Sequence, residues 1–142
     1  MKKISLSIVA AVFAFGLFLP AQNVRAQAQS VETVKETKIE YVLFHLETCP
    51  HCRDEIKFIN KQVMPKYGQY IDLKMYEVSD DKNADIFRQY GSFYDTEVGG
   101  VPMAFIDGTI INGYGNDSTT GKQIMNTIEK KLLEKGLIQN IV

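Results

Sequence analysis

Residues 39–52 read IEYVLFHLETCPHC, and the organisation of the domain follows from this stretch. Its first eight residues, Ile39 to Leu46, are dense in β-branched and aromatic side chains and too few for a helix. They therefore predict a buried central strand. Cys49 and Cys52 follow with two residues between them, so a dithiol is predicted where this strand ends.

A helix is predicted directly after the dithiol. Spacings of four, three and four residues place one set of side chains on a single helical face: Cys52, Ile56, Ile59 and Val63. Asp54 and Glu55 are expected in the first turn of this helix, where the helix dipole favours acids. Pro65 and Gly68 are expected to end it.

The remaining chain alternates strands and helices. Residues 71–78 alternate apolar and polar side chains, as expected for a strand with one covered face. A helix is then predicted from Asp80 or Asp81 to a stop at Gly91. Asp107-Gly108 separates two short apolar runs, which predicts a β-hairpin. A last helix is predicted from a capping box formed by Thr120 and Gln123.

This order of elements predicts the fold class. A strand–helix–strand unit requires a parallel pair of strands with a right-handed crossover. The Asp-Gly hairpin adds an antiparallel pair. We therefore predict an α/β three-layer sandwich in which helices flank both faces of a mixed central sheet.

The first residues are interpreted as an export signal. A positive start at Lys2 and Lys3 precedes an apolar run of 16 residues, Ile4 to Leu19, and small residues follow at Ala26 and Ala28. This order is typical of a secretory signal peptide, and the run is short for a membrane span. We predict a signal peptide at 1–26, a polar leader at 27–38 and a domain at 39–142, with a retained anchor as the alternative. The mature protein is then exported, to the periplasm or beyond.

Composition and charge exclude several classes of protein. The chain has 142 residues, of which 45% are hydrophobic and 23% charged, as in an ordinary globular domain. Beyond residue 26, 13 basic and 17 acidic residues remain, a net charge of −4. An acidic body argues against nucleic acid as a partner. Two cysteines exclude a disulfide-dense scaffold.

The position of the dithiol indicates its chemistry. Cys49 is predicted at the helix N-terminus, where free N–H groups and the dipole favour a thiolate, the nucleophilic form of cysteine. Cys52 is predicted one turn further on and facing the core. Cys49 is therefore the predicted attacking sulfur and Cys52 the resolving one, with His51 stabilising the Cys49 thiolate. A structural disulfide, or a zinc or copper site using the cysteine pair, is the alternative interpretation.

Residues 38–135 resemble the thioredoxin-like thiol–disulfide oxidoreductases. The matching motifs are Cys49-Pro50-His51-Cys52 and Val101-Pro102 before a strand. Pro-His between the cysteines is similar to the periplasmic Dsb-type enzymes, so the resemblance gives Pro50 and His51 a catalytic role. It implies a thioredoxin fold in which Pro102 is cis and faces the dithiol, and in which the backbone of Val101 pairs with an extended substrate. It also implies protein substrates, a soluble or membrane-bound redox partner, and no bound cofactor or metal.

The chain departs from that family in several places. Only 49 residues separate Cys52 from Pro102, so the helical insertion of Dsb-type oxidases is absent, and no N-terminal dimerisation domain precedes the fold. We therefore expect a monomer. Leu43 occupies the place of the buried aspartate of thioredoxins, which helps deprotonate the resolving cysteine. Another proton relay is needed, and Glu47 is the candidate.

These observations favour disulfide exchange with protein substrates, in the oxidising direction. A stabilised Cys49 thiolate stabilises the reduced enzyme and so makes its disulfide an oxidant. A dedicated exported reductase is the alternative direction. A metal carrier that uses the cysteine pair is the alternative class of function.

Overall fold

A computed structural model describes residues 37–140 of the chain. The strands are β1 (Ile39–His45), β2 (Ile71–Glu77), β3 (Met103–Ile106) and β4 (Thr109–Asn112). The helices are α1 (Pro50–Phe58), α2 (Met64–Tyr67), α3 (Asp81–Phe93) and α4 (Lys122–Glu134). The predicted signal peptide, 1–26, and residues 27–36 of the predicted leader lie outside the described residues. No helix among residues 37–140 is long and apolar enough to span a membrane.

The four strands form one mixed sheet in the order β2-β1-β3-β4. β1 runs parallel to β2 and antiparallel to β3, and β3 pairs with β4 in the predicted hairpin. Asp107 and Gly108 have φ angles of 46° and 84°, the left-handed conformation that a two-residue hairpin turn requires. The dithiol follows the carboxyl end of β1, an interior strand of the sheet.

Helices cover both faces of the sheet, which confirms the predicted three-layer α/β sandwich. One core cluster contains Tyr41 and Leu43 of β1 together with buried side chains of α1 and α4. The other contains Val42 and Phe44 of β1 together with Phe87 of α3. Successive residues of a strand point to opposite faces, so β1 contributes to both cores.

The first helical segment continues past Pro65, contrary to the prediction, and ends at the predicted Gly68, which is the C-cap of α2. α1 leads into a π-helical segment, Ile59–Val63, and then into α2, where Pro65 lies in the first turn. Proline is accommodated there because its missing N–H needs no partner at a helix start. The expected positions of Asp54 and Glu55 were also wrong. α1 begins at Pro50, so its first turn contains no acid.

Two predicted helix boundaries also differ from the structure. Gly91 lies inside α3 because the chain packs too closely there for a side chain. A Cβ at this position would lie 2.9 Å from a Val98 methyl carbon. The capping box is formed by Asn116 and Thr119, ahead of the predicted pair, and caps a π-helical segment at Asp117–Gly121 that leads into α4.

Candidate functional site

Cys49 is the N-cap residue of α1. Its backbone is extended, with φ −80° and ψ 119°, and its Sγ accepts a hydrogen bond from the backbone N–H of Cys52 at 3.3 Å. Pro50 follows at the first helical position, where it preorganises the helix start. The Cys49 sulfur is partly exposed and lies in the field of the helix N-terminus. It is thus accessible, and it accepts a backbone hydrogen bond at the start of the helix.

Cys52 lies one turn further on and is fully buried. Burial, together with hydrogen bonding to Cys49, raises the pKa of the Cys52 thiol to about 12. Both cysteines are free, so the structure describes the dithiol form. One sulfur is therefore accessible, and the other is sheltered and stays protonated.

Val101 lies against the dithiol, and Pro102 follows it in the chain. The Cys49 thiol donates a hydrogen bond to the carbonyl oxygen of Val101 at 3.7 Å. The Val101-Pro102 peptide bond is cis, and the Pro102 carbonyl accepts a hydrogen bond from the N–H of Gly113 at 2.8 Å. Segments about 50 residues apart in the chain therefore meet at one sulfur.

The other predicted site residues lie on the surface around Cys49. Pro50 and His51 are exposed in the first turn of α1. Glu47 is also exposed, and its contacts are made by its backbone. Its carbonyl accepts from Arg53 at 2.9 Å, and its N–H donates to a carboxylate oxygen of Glu77 at 3.4 Å. The Glu47 side chain thus lies at the rim, whereas Cys52 is buried.

A buried acid, Glu55, lies beside Cys52. Glu55 is three residues after Cys52 on α1, and its side chain is only 1% exposed. Residues three apart on a helix are neighbours on one face. Burial raises the pKa of the Glu55 carboxyl to about 7, while a hydrogen bond from the Tyr41 hydroxyl, at 3.0 Å, lowers it. A carboxyl that titrates near neutral pH can both accept and donate a proton.

The sequence contained a signal for Glu55 that the prediction did not use. Glu55 falls between Cys52 and Ile59 on the face already predicted to be buried, with spacings of three and four residues. The prediction that Glu55 lies in the first turn of the helix implies an exposed side chain instead. Its partner, Tyr41, is fully buried and projects from the β1 face that α1 covers.

Residues 37–140 contain no cluster of three or more histidine, cysteine, aspartate or glutamate side chains that could hold a metal ion.

Three solved structures are similar to this chain. Thioredoxin O2 from Arabidopsis thaliana, in the oxidized state, is 16% identical with a TM-score of 0.47, over 65% of this chain and 76% of that chain. The germline-specific thioredoxin Deadhead from Drosophila melanogaster is 15% identical with a TM-score of 0.44, over 66% and 84%. A chain from a study of thiol resolution in yeast mitochondrial 1-Cys peroxiredoxin is 18% identical with a TM-score of 0.46, over 65% and 81%. No protein-family model matches the sequence, and no curated protein matches it.

Proposed function

We propose that this protein exchanges disulfides with protein substrates through Cys49 and Cys52. The observation that carries the proposal is the asymmetry of the two sulfurs: Cys49 is accessible at a helix N-terminus, and Cys52 is buried one turn behind it. Exchange requires one sulfur that a substrate can reach and a second that can displace the substrate. The dithiol is itself the redox group, so the reaction needs no bound cofactor.

In the oxidising direction the reaction has two steps. A substrate thiolate attacks Sγ of Cys49 in the disulfide form, the Cys49–Cys52 bond breaks, and Cys52 leaves and takes up a proton. A second substrate thiolate then attacks the substrate sulfur of the mixed disulfide and releases Cys49 as a thiolate. The substrate loses two electrons and the dithiol gains them. A redox partner carrying a disulfide accepts these electrons by the same exchange and restores the Cys49–Cys52 bond.

The proton of Cys52 needs a donor and acceptor inside the protein. Glu55 is buried on the same face of α1, and burial raises the pKa of its carboxyl to about 7. Its carboxyl supplies a proton when Cys52 leaves and accepts one when Cys52 attacks. We assign this role to Glu55 in preference to the exposed Glu47.

Substrate is proposed to bind beside Val101. Pro102 has no N–H, so this position of the loop cannot donate to the sulfurs or compete with pairing to a substrate. The backbone of Val101 would pair with an extended segment of the substrate, in the manner of strand addition. This arrangement brings a substrate sulfur close to Cys49, since the Cys49 thiol already contacts the Val101 carbonyl at 3.7 Å.

We place the protein outside the cytoplasm. This part of the proposal rests on the charge and apolar pattern of residues 1–26, which is that of a secretory signal. An oxidising compartment also suits a protein that introduces disulfides. N-terminal sequencing of the exported protein tests the cleavage after residue 26.

Substitution of the cysteines is expected to separate their roles. Cys49→Ser should abolish exchange, because it removes the attacking sulfur. Cys52→Ser should instead accumulate mixed disulfides on Cys49, since no second thiol can displace the substrate. Insulin reduction and oxidation of a dithiol peptide measure turnover, and mass spectrometry identifies the trapped sulfur. Exchange by Cys49→Ser at the wild-type rate, or stoichiometric zinc or copper binding without exchange in the wild type, would contradict the proposal.

The direction of exchange is expected to show in the redox potential. The N–H of Cys52 stabilises a Cys49 thiolate, and the raised pKa of Cys52 keeps that thiol from attacking. The first effect favours the reduced form and makes the disulfide an oxidant, whereas the second only slows attack by the Cys52 thiol. Equilibration in glutathione buffers should give a potential well above the value of about −270 mV typical of thioredoxin. A potential near that value would overturn the oxidising direction and leave a reductase.

A further inference from the structure

The buried carboxyl of Glu55 accepts a hydrogen bond from one hydroxyl group of the sheet. Tyr41 lies in β1, between Ile39 and Leu43 on the face that α1 covers, and is fully buried. Its hydroxyl donates to Oε1 of Glu55 at 3.0 Å across the boundary between sheet and helix. A buried hydroxyl and a buried carboxyl each lose free energy without a partner, so the two groups fix each other's position.

From this contact we infer that Tyr41 is a positioning residue for the proton exchange between Glu55 and Cys52, and that its hydrogen bond sets the pH at which Cys52 resolves a mixed disulfide. The inference rests on the proposed function. It adds a residue of the strand, Tyr41, to the site.

The groups around Glu55 explain why this one hydroxyl matters. Tyr41 faces it from β1, Cys52 from its own helix, and Tyr114 from the segment after β4. Tyr114 is itself turned to Asp117, to which its hydroxyl donates at 2.7 Å. None of these groups is a cation. The Tyr41 hydroxyl is therefore the contact that stabilises the ionised carboxylate against burial.

The step that depends on this contact is the attack of Cys52. Sγ of Cys52 attacks Sγ of Cys49 in the mixed disulfide, the Cys49–Cys52 bond forms, and the substrate sulfur leaves as a thiolate. The Cys52 proton passes to the Glu55 carboxylate, and the electron pair of the broken mixed-disulfide bond leaves with the substrate sulfur, so no external oxidant or reductant is needed. Because Glu55 must be ionised to accept the proton, the rate should rise with pH around a midpoint near 7, the pKa of this carboxyl.

The experiment isolates this step. The mixed disulfide between Cys49 and 5-thio-2-nitrobenzoate is formed at acid pH, and release of the coloured thiol is followed by stopped flow after a jump to each higher pH. Tyr41→Phe removes the bond to the ionised carboxylate. It should move the midpoint upward by about one pH unit, which is about a tenfold slower release below both midpoints. In a Glu55→Gln background, Tyr41→Phe should leave the profile unchanged.

A matched control and a second variant make the result specific. Tyr67, also buried, donates its hydroxyl to the carboxylate of Glu129 away from the dithiol, so Tyr67→Phe removes a similar bond and should leave the midpoint unmoved. Glu55→Asp keeps the acid but withdraws it from the Tyr41 hydroxyl. Glu55→Asp should also raise the midpoint, and this variant tests the inference if Tyr41→Phe does not fold. An unchanged midpoint in these Tyr41 and Glu55 variants overturns the inference, whereas failure of the wild type to release the thiol overturns the proposed function itself.

Discussion

Glu55→Gln is expected to remove a large pH dependence of stability. The pKa of Glu55 is raised by burial from its ordinary value of 4.5 to about 7, so the folded protein holds this proton more tightly than the unfolded chain. The resulting stabilisation is complete below about pH 4.5, and it is lost as the pH rises through 7. The difference in pKa corresponds to about 3 kcal/mol of unfolding free energy.

Urea unfolding of the reduced protein at pH 4 and pH 8 measures this effect. Glutamine is neutral at both pH values and keeps an oxygen that can accept from Tyr41. Relative to wild type, Glu55→Gln should therefore gain about 3 kcal/mol between pH 4 and pH 8. Glu47→Gln, at an exposed position, serves as the control and should follow the wild type. If the unfolding free energies of wild type and Glu55→Gln change with pH in parallel, this carboxyl is not the source of the pH dependence.

Phe44→Ala is expected to be the most destabilising single substitution in the opposite core. Phe44 is fully buried, and its ring stacks on Phe87 with the ring centroids 4.4 Å apart. Three further aromatic rings surround it, those of Tyr76, Tyr90 and Phe105. Truncation leaves a cavity among rigid rings that cannot close it, so the loss should be about 3–5 kcal/mol of unfolding free energy.

Urea denaturation of Phe93→Ala provides the comparison for this loss. Phe93 is also an aromatic residue of the α3 region, but its side chain is 81% exposed. Its removal should change the unfolding free energy by less than about 0.5 kcal/mol. A cost below about 1 kcal/mol for Phe44→Ala would mean that the cluster repacks around the missing ring.

Local patterns in the sequence predicted most of the fold. The apolar run at Ile39 predicted β1, and Asp107-Gly108 predicted the hairpin, because each pattern has few alternative structures. The dithiol was placed correctly between β1 and α1 for the same reason. These features depend on neighbouring residues, which a single sequence displays directly.

Two of the wrong predictions, at Gly91 and Glu55, depended on packing contacts that the local sequence pattern does not show. Gly91 ends a helix by its conformational preference, but inside α3 it gives room for Val98, seven residues later, and helical periodicity does not show this contact. Glu55 was taken for a surface acid because its partner, Tyr41, lies 14 residues earlier. A buried carboxyl needs a hydrogen-bond partner, and for Glu55 that partner is the Tyr41 hydroxyl, which comes from a different element of the fold.

The alternation of side chains along β1 has a consequence for how the domain unfolds. Leu43 packs into one core and Phe44 into the other, so neighbouring residues of a single strand anchor both helical layers. Neither layer can detach without exposing one side of this interior strand to water. Opening of the dithiol region by partial unfolding should therefore cost nearly the full free energy of global unfolding, and the domain should unfold as one cooperative unit. The buried thiol of Cys52 is therefore shielded from solvent for as long as the domain is folded.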